Sequence, residues 1–141
     1  MGSDLPVLLA AMSILSALHM GFQARLVGWS RMKHKILPPS VTGPAEFERT
    51  FRTHQNGVEL YPIFLVVLWT SGIFCNEVLA ALVGLLYIVG REMYFTGYIN
   101  ETKKRLPGFY LVLCAILILC RMASVGIIQS FLDKYHDIKL F

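Results

Sequence analysis

Arg52, Asn56 and Glu59 fall at i, i+4 and i+7, so a helix through them carries a cation, an amide and a carboxylate on one face. Tyr87, Arg91, Tyr94 and Tyr98 form a second stripe at helical spacing. Arg105 lies about four turns beyond Arg91 on nearly that face. Guanidinium forks match carboxylates, while a carboxylate such as Glu59 takes an ammonium. Together these groups suit a small zwitterion carrying more negative than positive charge. The competing account is structural: the charges pair or snorkel to order a bundle, and the tyrosines form an interfacial belt.

The elements that position these residues are membrane helices. Of the 141 residues, 55% are hydrophobic and 16% charged, whereas a soluble domain carries about 25% charge. Such a surface is too apolar to face water all round. Six Pro and eleven Gly are scattered, which excludes collagen-like and disordered chains. The net charge of +4 would suit nucleic acid, but the basic residues lie in short stretches between apolar runs. That is the pattern of loops beside a membrane, so no nucleic-acid partner is expected. A span needs roughly 20 helical residues, and four fit, over approximately 5–28, 47–74, 78–103 and 106–132. The expected fold is all-α: a single integral membrane domain over residues 1–141, a four-helix bundle without repeats or linkers.

Cys75-Asn76-Glu77 leaves room only for a tight turn, so the second and third runs form an antiparallel hairpin. The first loop holds the breakers Pro38-Pro39 and Gly43-Pro44, and Pro62 is placed to bend the second helix. Arg25, Arg31, Lys33, Lys35, Arg49 and Arg52 crowd the first loop, and Lys103, Lys104 and Arg105 the third. The second loop has no Lys or Arg. By the positive-inside rule, loops one and three are cytoplasmic.

Glu59, Arg91 and Arg121 sit in or near the spans. Each would cost about 2.5–3.5 kcal/mol facing lipid at the bilayer centre, so each should face protein or a wet cavity. Arg121 takes the structural reading, paired with a carboxylate elsewhere, and His19 that of a satisfied intrahelical histidine. The three cysteines have no metal-ligand spacing and read as buried small hydrophobes, and no metal site is expected. Met1-Gly2 resembles the start of a myristoylation signal, but Pro6 stands where Ser or Thr is required. The first apolar run lacks a basic leader and a cleavage site, so it is expected to be retained. For the two polar stripes, a peptide such as glutathione offers two carboxylates, one ammonium and a thiol; other small anions fit as well.

Phe47-Glu48-Arg49, Arg52, Gln55-Asn56, Glu59 and Tyr61-Pro62 form a combined signature. Gly84-Leu85, Tyr87, Arg91, Tyr94-Phe95 and Gly97-Tyr98 continue it, with Pro38-Pro39 and Thr42-Gly43-Pro44 ahead of it. This pattern resembles the family of membrane-associated proteins in eicosanoid and glutathione metabolism, over nearly the whole chain. The resemblance implies a homotrimer in endoplasmic reticulum or nuclear envelope membrane, with glutathione as co-substrate and no tightly bound cofactor. It implies glutathione held between subunits by Arg31, Arg52, Gln55, Asn56, Glu59, Arg91, Tyr94 and Tyr98. It also implies Arg105 against the thiol as thiolate stabiliser, with Arg31 the second catalytic candidate. The implied partners are lipophilic electrophiles entering from membrane lipid, epoxides of the leukotriene A4 type among them, and lipid hydroperoxides. The alternative in the same family is a non-catalytic lipid-presenting scaffold, against which Arg52 and Arg105 stand. His54, Gly57, Leu60 and Met32 depart from the family pattern, and Met32 weakens the case for a dedicated leukotriene synthase.

Overall fold

The computed structural model describes residues 5–140, with side chains described as far as Tyr135; Met1-Gly2 lies outside them. Four helices follow one another: α1 Val7–His34, α2 Ala45–Phe74, α3 Glu77–Asn100 and α4 Leu106–Leu140, with a 3-10 turn at Thr102–Arg105. All four are long and apolar enough to cross a membrane, and no strand occurs among the described residues. The chain is a multi-pass, all-helical membrane protein.

Local chemistry sets the ends. Lys35 stops α1 in the left-handed conformation at φ 57°, and its N–H turns back to the Arg31 and Met32 carbonyls. Pro44 precedes α2, whose first turn carries Glu46 and Glu48 against the positive end of the helix. Lys33 and His34 reach Glu46 at 2.9 and 3.4 Å, tying the foot of α1 to the start of α2. The α2–α3 hairpin turns in two residues, and the Asn76 side chain accepts from the Leu79 N–H at 2.9 Å to cap α3. Helix α2 runs through Pro62 without a break.

The helices alternate in direction around Leu9, Phe64, Leu68, Tyr87, Val112 and Leu119, all buried. Without a hydrophobic force between helices in lipid, close packing and interhelical hydrogen bonds must hold them. A Cβ at Gly108 would collide with the Tyr94 backbone nitrogen, and one at Gly126 with the Phe74 carbonyl. These two glycines let α4 approach α3 and α2 backbone to backbone. Between α1 and α2, Trp69 Nε1 donates to Ser13 Oγ at 2.7 Å, and Ser16 Oγ lies 2.8 Å from Tyr61 OH. His19 is satisfied, its Nε2 2.9 Å from Glu92 Oε1 on α3.

The cysteines correct one expectation. Cys75, Cys114 and Cys120 are exposed, not buried. In lipid the outer face of a helix is as apolar as its core, so composition alone does not tell the two apart.

Candidate functional site

An open cavity of about 300 Å³ lies between α2 and α3, lined by Arg52, Gln55, Asn56, Glu59, Tyr94 and Tyr98. Its volume is at the small end of ligand pockets, roughly 300–1,000 Å³. Helix α2 supplies one wall because residues 52, 55, 56 and 59 share a face. Helix α3 supplies the other through Tyr94 and Tyr98, packed edge-on with ring centroids 5.6 Å apart. A cation, an anion, two amides and two phenols thus converge on one opening.

Arg91 stands behind this wall and is 1% exposed. Its Nη1 donates to Asn56 Oδ1 at 2.7 Å and its Nη2 to the Thr53 carbonyl at 3.0 Å, with Tyr94 below at 4.7 Å. Arg91 thereby fixes the rotamers of Asn56 and Tyr94 without lining the cavity. Room for the guanidinium comes from Gly57, where a Cβ would sit 2.7 Å from Arg91 Nη2. Gly57 and the Thr53 carbonyl are the contributors that the motif spacing does not reveal. They lie four residues apart on the α2 face toward Arg91, a pairing only the α2–α3 register makes meaningful. Tyr87 drops out of the stripe: it is buried and stacked on Phe64 at 3.8 Å and 7°.

Arg105 does not continue the α3 stripe as its spacing suggests. The backbone turns extended at Glu101 (φ −160°, ψ 136°), and helical phase is lost there. The 3-10 turn returns Arg105 to the rim, 5.4 Å over the Tyr98 ring, with Nη1 donating to the Thr102 carbonyl at 2.7 Å. Arg31 lies elsewhere in the protomer. It covers the Phe47 and Phe51 rings at 5.3 and 5.7 Å, donates to the Ser40 carbonyl, and lines a separate apolar cavity at the foot of α1. Of the expected site residues, the fold therefore gathers six around one cavity, sets Arg105 on its rim and Arg91 behind it, and leaves Arg31 apart.

The sequence model of the MAPEG family matches residues 7–125. The chain is 49% identical over 134 residues to microsomal glutathione S-transferase 2 of Homo sapiens, covering 95% of this chain and 91% of that one. To the Mus musculus protein of that name it is 50% identical over 130 residues, covering 92% and 88%. Leukotriene C4 synthase of Rattus norvegicus is 39% identical over 134 residues, covering 95% and 89%. With a family match over most of its length and relatives aligned nearly end to end, the chain belongs to the MAPEG family.

Proposed function

We propose that this protein is a glutathione transferase that ionises the glutathione thiol and couples it to lipophilic electrophiles. One observation carries the reading: the α2–α3 cavity joins Arg52, Glu59, two amides and two tyrosines in a single opening. Arg52 takes a glutathione carboxylate, Glu59 the ammonium, and Gln55, Asn56 and the tyrosines the peptide groups. The relatives named for glutathione transfer support the same reading. The cavity is open on one side, and Arg31 is turned away from it within the protomer. Both features suit a homotrimer in which a neighbouring subunit brings its basic loop to the opening.

A thiol of pKa about 8.5 is only a few per cent thiolate at neutral pH, and the thiolate is the nucleophile. Lowering that pKa by about two units takes roughly 2.7 kcal/mol. One guanidinium at contact supplies it, since the Coulomb attraction at effective dielectric 20 is about 4 kcal/mol. Arg105, on the rim beside Tyr98, exchanges its Thr102 carbonyl for the sulfur. It stays protonated and acts on the ionised thiol by charge; the proton leaves to water. The thiolate sulfur then bonds the electrophilic carbon, expelling halide from an aryl halide or opening an epoxide to an alkoxide that water protonates. Leukotriene A4-type epoxides and conjugated enones fall in this range. With a lipid hydroperoxide, the thiolate attacks oxygen and releases the alcohol, and a second glutathione returns the sulfenic acid to disulfide and water. Glutathione is the co-substrate, and no resident cofactor enters. On this reading the protein lies in the endoplasmic reticulum membrane with loops one and three cytoplasmic, so that glutathione reaches the cavity from water and the electrophile from lipid.

Purified protein titrated with glutathione in a calorimeter, then assayed for conjugation of an aryl halide, tests this reading. Saturable binding with turnover supports it; absence of glutathione binding overturns it.

A further inference from the structure

Arg105 has no ion pair among the described residues, and neither has Arg121, so the carboxylate expected for Arg121 is not within the protomer. Arg91 is held from outside its own helix, by Asn56 and the Thr53 carbonyl. Arg105 is not. Its one hydrogen bond goes to the Thr102 carbonyl inside the same 3-10 turn, and its other contact is the Tyr98 ring at 5.4 Å. The guanidinium therefore reaches the cavity rim only if the backbone of Thr102–Arg105 is seated in the right place.

One residue of α3 forms that seat. A Cβ built on Gly97 would collide with the Lys104 carbonyl oxygen and stand 2.8 Å from its carbonyl carbon. Both atoms belong to the backbone, so neither can rotate aside. The Gly97 carbonyl meanwhile accepts from the Glu101 N–H at 3.0 Å, and the Glu101 carbonyl accepts from the Lys104 N–H at 3.0 Å. Gly97 thus holds the start of the turn by a hydrogen bond and its end by close packing. Backbone freedom does not explain a glycine here, since no described glycine has a positive φ. Gly97 also lies inside α3, where glycine is a poor helix former. Its use is the close approach.

A side chain at this position would act locally. Helix α4 is fixed just beyond the turn, where Gly108 meets the Tyr94 backbone, and again where Gly90 meets the Val112 backbone nitrogen. The compliant segment between α3 and α4 is the turn itself, and Arg105 moves with it. The cavity wall on α2 is untouched, because Arg52, Gln55, Asn56 and Glu59 belong to another helix. We infer that Gly97 is a positioning residue for thiol ionisation: it seats the 3-10 turn against α3 so that the Arg105 guanidinium stands at the cavity opening. It touches neither glutathione nor the reacting sulfur, and acts only through Arg105. The inference rests on the transferase reading and adds a residue to the same site.

The test uses full-length protein in detergent, saturated with glutathione, and records the ultraviolet thiolate band against pH. Wild type, G97A, R105A and the double variant G97A/R105A are compared. G97A is expected to raise the pH of half-ionisation by about one unit, a tenfold weaker acid. At mildly acid pH, where the thiol stays protonated in every variant, glutathione affinity by calorimetry should match the wild type. The elution volume of the assembly should not change. The double variant should match R105A, because a seat has no further effect once its guanidinium is gone. Losses that add in the double variant would overturn the inference, as would a G97A profile identical to wild type. A G97A protein that fails to assemble would overturn it as well, assigning Gly97 to the packing of the bundle. Absence of the band in the wild type is a separate result, contradicting the transferase reading and the inference with it.

Discussion

At the scale of residues, the cavity depends on side chains held by one buried arginine. Glu59 is exposed and has no hydrogen-bond partner among the described residues, so Glu59→Gln should leave the fold intact. The variant removes the charge assigned to the glutathione ammonium, and calorimetry should show binding weakened by about 1–3 kcal/mol. Unchanged affinity would return Glu59 to a structural role. Gly57 carries a different prediction. In Gly57→Ala the new Cβ meets Arg91 Nη2 at 2.7 Å and Cζ at 3.3 Å. A free arginine would swing away, but this one is buried and tied to Asn56 and Thr53. Its displacement breaks a charged hydrogen bond, at a cost of about 1–3 kcal/mol. A lower unfolding temperature in detergent and weaker glutathione binding should appear together; loss of neither would show that Arg91 does not set the wall.

At the scale of elements, what was legible in the sequence followed from periodicity, and what was not followed from register between helices. Residues 52, 56 and 59 share a face because one helix carries them, and spacing alone reveals it. Tyr87 has the right spacing but is taken up by the stack on Phe64, a contact decided by how α2 meets α3. The spacing of Arg105 misleads for another reason: Asn100 ends α3, and the 3-10 turn restores proximity by a route that helical phase does not describe. Arg31 shows the limit of loop reading, since its guanidinium covers Phe47 and Phe51 on a different side of α2. Close approach of α3 and α4 then sets where that turn lies. Gly108→Ala should force the two helices apart, because the obstructing atoms are the backbone nitrogen and Cα of Tyr94, which cannot rotate aside. Overpacking of this kind costs about 1–3 kcal/mol and should lower the unfolding temperature; an unchanged value would mean the crossing is looser than described.

At the scale of the whole molecule, orientation and chemistry must agree. Asn100-Glu101-Thr102 is a glycosylation sequon at the end of α3. If its loop is cytoplasmic, expression in microsomes followed by glycosidase digestion should give no mobility shift. A shift abolished by Asn100→Gln would invert the topology and remove the cavity from cytoplasmic glutathione. The central claim is that the assembled protein ionises the glutathione thiol and that the cation on the cavity rim does it. Arg105 makes one backbone hydrogen bond and stacks on Tyr98, so its removal should spare assembly and most glutathione affinity. The most direct measurement is the ultraviolet thiolate band on mixing protein with glutathione, for wild type, Arg105→Ala and Arg105→Lys across pH. The wild type should show the band at neutral pH. Arg105→Ala should lose it there and regain it as pH rises toward the free thiol pKa of about 8.5, and Arg105→Lys should recover part, since the charge returns without the planar fork. Identical bands in wild type and Arg105→Ala would contradict the account and move the thiolate partner to the Arg31 of a neighbouring subunit.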